Sequence, residues 1–143
     1  MEILNRKARF NYEISDKLEA GIVLVGSEVK SIRAGKANIK DSYAIIKNNE
    51  CWLINMYIAN YQNSQFKPDE TRSRKLLLKK SQIKKLDYLI KAEGYTLVPL
   101  KLYFKNNKVK IELGIAKGKK LYDKRETIKQ RDIDRNIQAN LKY

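Results

Sequence analysis

The 143 residues are enough for one domain, and 31 Lys and Arg set against 16 Asp and Glu leave a formal charge of +15. The single cysteine, Cys51, excludes an internal disulfide framework, and the lack of histidine removes both the usual general base near neutral pH and the commonest metal ligand. No apolar run approaches the roughly 18 residues of a membrane span, and Met1 to Lys7 lacks a signal-peptide stretch, so a cytoplasmic protein is expected. A charge of this size repels itself in a compact chain, which calls for a polyanionic partner. An anionic membrane would need a basic amphipathic helix with aromatic anchors, and the carboxyl-terminal segment has too thin an apolar face for that. An AT-rich genome enriches Lys, Asn and Ile without any binding role; charge gathered in clusters points instead to nucleic acid.

In chain order, Phe10, Tyr12 and Ile14 alternate with polar residues as a strand does, and Gly21 to Val25 reads as a buried strand. Ser27 is a candidate cap for a short helix carrying Val29 and Ile32, with Gly35 as its left-handed stop. Ser42 to Lys47 and Cys51 to Tyr61 flank Asn48-Asn49, a pair suited to a two-residue turn because Asn tolerates positive φ. A longer helix is expected after Ser81, with Ile83, Leu86, Leu89 and Ile90 on one face and Gly94 closing it. A second hairpin joins Tyr95–Phe104 to Val109–Leu113 through Asn106-Asn107; Pro99 cannot donate to a ladder, so its strand is expected to be an edge or to bulge there. Short strands with a helix before the last hairpin suit a mainly β, OB-fold-like closed antiparallel barrel with two or three helices. Residues 1–116 form that barrel in this reading. Residues 117–143 form a basic tail, with nine basic residues against four acidic ones. Only Ile133, Ile137 and Leu141 make a helical stripe there, too little to offset ordering, so the tail is expected to be disordered alone and helical against a partner.

Catalytic provision is poor. One cysteine cannot build a zinc site, no phosphate-binding Gly-rich loop occurs, and Glu28, Asp41, Glu50 and Asp87 are scattered, so neither enzyme activity nor a cofactor is expected. Cations gather at Arg6–Arg9, at Lys30, Arg33, Lys36 and Lys40, from Arg72 to Lys85 around Arg74-Lys75, and from Lys117 to Arg125. Lys30 and Arg33 share a helix face, Arg72 and Arg74 offer planar forks for phosphate, and Gly118 leaves a backbone room to approach between Lys117 and Lys119. Tyr43, Tyr57, Tyr88, Tyr95 and Tyr103 fall in strand or helix patterns and are expected in the core. Tyr122, in a polar basic segment, is better placed to stack on a base.

Several unbroken strings then add up. They are Leu4-Asn5-Arg6-Lys7-Ala8-Arg9, Glu19-Ala20-Gly21-Ile22, Gly26-Ser27-Glu28-Val29-Lys30-Ser31-Ile32-Arg33-Ala34-Gly35-Lys36-Ala37-Asn38 and Asp41-Ser42-Tyr43. Arg74-Lys75-Leu76-Leu77-Leu78, Gly94-Tyr95-Thr96-Leu97-Val98-Pro99-Leu100 and Gly114-Ile115-Ala116-Lys117-Gly118-Lys119-Lys120-Leu121-Tyr122-Asp123-Lys124-Arg125 follow. Together they resemble the SmpB family from near Asn5 to Arg125. The resemblance implies an OB-fold barrel gripping the tRNA-like domain of tmRNA, and a tail that folds in the decoding region of the small ribosomal subunit, against 16S rRNA. Such proteins deliver alanyl-tmRNA to ribosomes stalled without an A-site codon. By motif match the tmRNA face includes Asn5, Glu19, Leu77, Lys110, Lys117 and Lys119, to which the clusters add Lys30, Arg33, Arg74 and Lys75. Lys120, Tyr122, Asp123, Lys124, Arg125, Lys129 and Arg131 fall to the ribosome-facing tail. Tyr122 replaces the histidine of some members, and the loops at Asp69-Glu70-Thr71 and Ile58-Ala59-Asn60-Tyr61 lack family prolines. A monomer is expected. A general OB-type ribosome- or tRNA-binding factor and a metal-dependent nuclease remain the competing readings.

Overall fold

A computed structural model describes residues 2–61 and 67–118. These hold β1 (Glu2–Leu4), α1 (Arg6–Asn11), β2 (Tyr12–Ile22), α2 (Gly26–Arg33), β3 (Ala37–Asn38), β4 (Tyr43–Lys47), β5 (Glu50–Ile54), β6 (Tyr57–Ile58), β7 (Arg74–Leu77), α3 (Lys80–Glu93), β8 (Thr96–Lys105) and β9 (Lys108–Gly118). The strands β8, β4, β5, β7, β2 and β9 pair antiparallel in that order, and β9 pairs back onto β8, which closes the sheet on itself. Closure removes free edges; β1 takes the stretch of β8 that β4 leaves open, pairing Ile3 with Leu102 while Ala44 pairs with Leu97. The OB-fold-like barrel expected from the sequence is the observed architecture.

The local chemistry explains the path. Both hairpin turns have two residues at positive φ, Asn48 and Asn49 at 54° and 60° and Asn106 and Asn107 at 52° and 62°, the geometry whose twist matches the flanking strands. Opposite Pro99 the β8–β9 register slips by one residue before Lys101, the bulge its missing N–H demands. α2 starts at Gly26, with the Glu28 carboxylate accepting from the Val25 N–H at 3.0 Å, and turns off at Gly35 (φ 75°). α3 starts at Lys80 and stops at Gly94 (φ 72°); it buries Ile83 and Leu86, with Leu89 and Ile90 packed on the core. Inward residues such as Leu53, Leu76, Leu97, Leu102, Ile111 and Leu113 fill the barrel, each stabilising by about 1.5–3 kcal/mol when fully buried.

Five expectations change. Ser27 lies inside α2 and does not cap it, because the Val25 position takes that place with Glu28 as its partner. The run from Gly21 to Val25 is a strand only as far as Ile22, where β2 ends, and Val23 is exposed. Phe10 lies in α1, not in a strand: the helix is held by Ala8, buried against Val98, Leu100 and Ala116, and tertiary contact overrides the alternation. The run Cys51–Tyr61 breaks into β5 and β6 because Asn55 takes φ 69°. β9 continues through Lys117 and Gly118, paired with Glu13 and Tyr12, so Lys117 belongs to the sheet. No helix among the described residues is long and apolar enough to cross a membrane.

Candidate RNA interface

The outward rows of β2, β9 and β8 set the geometry. Glu19 stands opposite Glu112, and Glu112 opposite Lys101; one step along, Gly21 stands opposite Lys110, and Lys110 opposite Tyr103. Two carboxylates facing each other repel. Tyr103 relieves this by reaching over β9 to donate its hydroxyl to Glu19 Oε2 at 2.5 Å, while Lys105 Nζ lies 3.5 Å from Oε1. The Tyr103 hydroxyl holds the Glu19 carboxyl below its usual range; desolvation opposes it, and Lys105, then Lys110, add to the lowering. Burial, then the neighbouring Glu19, push the Tyr103 phenol upward. The result is an exposed, ionised acceptor among cations.

Beside it, Gly21 opens a shallow groove of about 320 Å³ whose walls include Leu77, Val29, Lys108 and Lys110. A Cβ on Gly21 would come 3.2 Å from Leu77 Cβ, so glycine lets β7 approach. Leu77 is 53% exposed, an apolar surface that shares the groove with Lys108 and Lys110. On the outer face of α2, Arg33 lies 4.5 Å over the Phe104 ring and Lys30 5.3 Å from that of Tyr61; among the described residues neither forms an ion pair. Stacking of this kind fixes a guanidinium while leaving its edge donors directed outward. Glu19, Leu77, Lys110, Lys30 and Arg33 therefore lie on neighbouring parts of one end of the barrel.

Lys75 is two residues from Leu77 on the same outward row of β7, but it stands opposite Trp52 and its ammonium is paired to Glu50 at 2.6 Å. The other expected contacts lie elsewhere. Lys117 lies 4.5 Å over Tyr95, and at seven residues from Lys110 it stands about 23 Å along β9. Arg74 is not at the surface. It is fully buried, donating to Glu28 Oε2 at 2.8 Å and to the carbonyls of Met56, Arg72 and Glu70, so its fork is engaged inside the protein instead of facing phosphate. Asn5 is also buried; its amide donates to the carbonyls of Pro99 at 2.8 Å and Ile39 at 3.2 Å, tying the chain before α1 to the barrel. Lys119 and the tail residues Lys120, Tyr122, Asp123, Lys124, Arg125, Lys129 and Arg131 lie outside the described residues. Tyr43, Tyr57 and Tyr88, expected in the core, are 44%, 41% and 61% exposed. Tyr103 and Lys105 went unnoticed as site residues, although Lys101-x-Tyr103-x-Lys105 is a polar stripe at strand spacing. The one thiol, Cys51, is pushed up to about 12 by burial, unfit as a nucleophile.

A small basic barrel with aromatic rings, an ionised acceptor and outward cations on one end is a nucleic-acid-binding barrel of the OB type. The sequence pattern of the family described as SmpB protein matches residues 2–143. The chain is 60% identical over 139 residues to the SsrA-binding protein of Acetivibrio thermocellus, covering 96% of this chain and 90% of that one. It is 54% identical over 140 residues to the SsrA-binding protein of Trichodesmium erythraeum, with the same coverage. A solved chain described as "tmRNA-SmpB: a journey to the center of the bacterial ribosome" superposes with a TM-score of 0.72 at 43% identity, covering 89% of this chain and 94% of that one. The chain belongs to the SmpB family.

Proposed function

We propose that this protein binds the tRNA-like domain of tmRNA and brings the alanylated RNA to stalled ribosomes, acting as an adaptor and not as an enzyme. The observation that carries the reading is the convergence of Leu77 and Lys110 on one groove, with Glu19 beside it, from three strands far apart in sequence. Glu19 accepts hydrogen bonds from an exposed base edge, Leu77 presses on an unstacked base, and Lys110, Lys30 and Arg33 neutralise phosphates. Lys117 and Lys119 extend the phosphate contacts toward the start of the tail. The tail, with Tyr122, Asp123, Lys124 and Arg125, serves the decoding region and the empty mRNA path; peptidyl transfer stays with the ribosome.

Gel shift and a tagging assay test this together. Glu19→Ala weakens binding of a tRNA-like-domain transcript, with bulk tRNA competing poorly at moderate salt. Replacing Asp123, Lys124 and Arg125 with Ala leaves binding nearly intact and abolishes tagging. Equal competition by bulk tRNA supports the general tRNA-binding factor instead, and equal loss of binding in the tail variant overturns the division of labour.

A further inference from the structure

We propose that Tyr103 is a positioning residue of the RNA-reading face: its hydroxyl, with the Lys105 ammonium, holds the Glu19 carboxylate in one orientation across the surface of β9. The inference rests on the reading above that Glu19 meets RNA. An exposed glutamate on a strand turns through several rotamers, and each hydrogen bond to a base must then order it anew. Here one oxygen accepts from Tyr103 at 2.5 Å and the other lies 3.5 Å from Lys105. A carboxylate has about four lone-pair positions, so two donors fix the group and leave room for two incoming N–H or O–H donors. Tyr103 is fit for this because its ring is half-buried on β8, directly across from Lys110, and rigid below the hydroxyl. It also stands two strands away from Glu19, so its only means of touching β2 is the hydroxyl reaching over β9. Phenylalanine fills the same space and removes that one donor.

The test uses the full chain and a tRNA-like-domain transcript. Glu19→Ala, Tyr103→Phe and the double variant are compared by filter binding, with thermal unfolding as a control for the fold. Tyr103→Phe is expected to weaken binding about fivefold, and to add nothing in the Glu19→Ala background, the signature of coupled residues. Carbon-13 titration of Glu19 gives a second readout that a purely structural role does not move: its midpoint rises in Tyr103→Phe. The charged and titratable groups facing Glu19 are Tyr103 and Lys105 from β8, with Lys110 and Glu112 from β9; Tyr103→Phe changes the first alone. Wild-type affinity in Tyr103→Phe, or an additive loss in the double variant, overturns the proposal while leaving Glu19 as a contact. Wild-type affinity in Glu19→Ala removes the underlying reading, and the proposal with it.

Discussion

Glu28 shows how one buried carboxylate can tie a helix to a distant strand. It caps its own helix through the Val25 N–H and receives Arg72 from the segment leading into β7 and Arg74 from the first position of that strand. Burial pushes its pKa up, yet the hydrogen bonds from Arg72, Val25 and Arg74 outweigh that and hold the carboxyl below its ordinary value. A depressed folded-state pKa contributes stability that is present above the unfolded value near 4.5 and is lost as the pH falls through the folded one. Glu28→Gln should therefore cost about 3–5 kcal/mol at neutral pH, because it leaves Arg74 buried without its anion. Urea midpoints read the cost, and the penalty should shrink below the ordinary carboxyl range, where the wild type loses the same charge. A penalty that does not change with pH would falsify the ionic account. Swapping both Glu28 and Arg74 for apolar residues should not restore the loss, since the carbonyls of Met56 and Arg72 would lose their donor.

At the scale of elements, the barrel is sealed where β9 lies between β2 and β8. A Cβ on Gly114 would meet Leu100 Cδ1 at 3.0 Å and Ile14 Cγ2 at 3.3 Å, both from flanking strands. Gly114→Ala should cost about 1–3 kcal/mol by overpacking, whereas Gly118→Ala, with nothing within 4 Å, should stay within about 0.5 kcal/mol of wild type. Chemical denaturation of the two variants measures the difference. Elements whose cause is local were legible in the sequence: the paired Asn turns, the Gly35 and Gly94 stops and the Pro99 bulge each follow from one or two residues. α1 was not, because six residues with one buried alanine carry no periodic signal and Phe10-x-Tyr12-x-Ile14 imitates a strand. Neither was the fate of Arg74. Next to Lys75 it reads as half of a basic pair, and its partner Glu28 lies 46 positions away. Glu19, Leu77 and Lys110 were named by motif, but only the register of β2, β7 and β9 brings them to one end.

For the molecule as a whole, the question is how a charge of +15 is spent. Ion pairs such as Lys75–Glu50 and Lys91–Asp87 are exposed and contribute little to the fold. The remaining cations keep the protein repelling itself until a polyanion arrives. If six to eight of them meet phosphates, binding of the tRNA-like domain should fall with a log–log salt slope of about −4 to −7, or roughly 10²–10⁴-fold between 50 and 200 mM. Charge and shape separate by this slope. Arg33→Ala removes a phosphate partner and should flatten it by about one, whereas Leu77→Ala removes an apolar contact and should lower affinity at every salt concentration alike. Filter binding across a salt series distinguishes them. A slope unchanged by Arg33→Ala would leave that guanidinium a partner of Phe104 alone, and a slope near zero in the wild type would mean that the groove, and not the charge, does the binding.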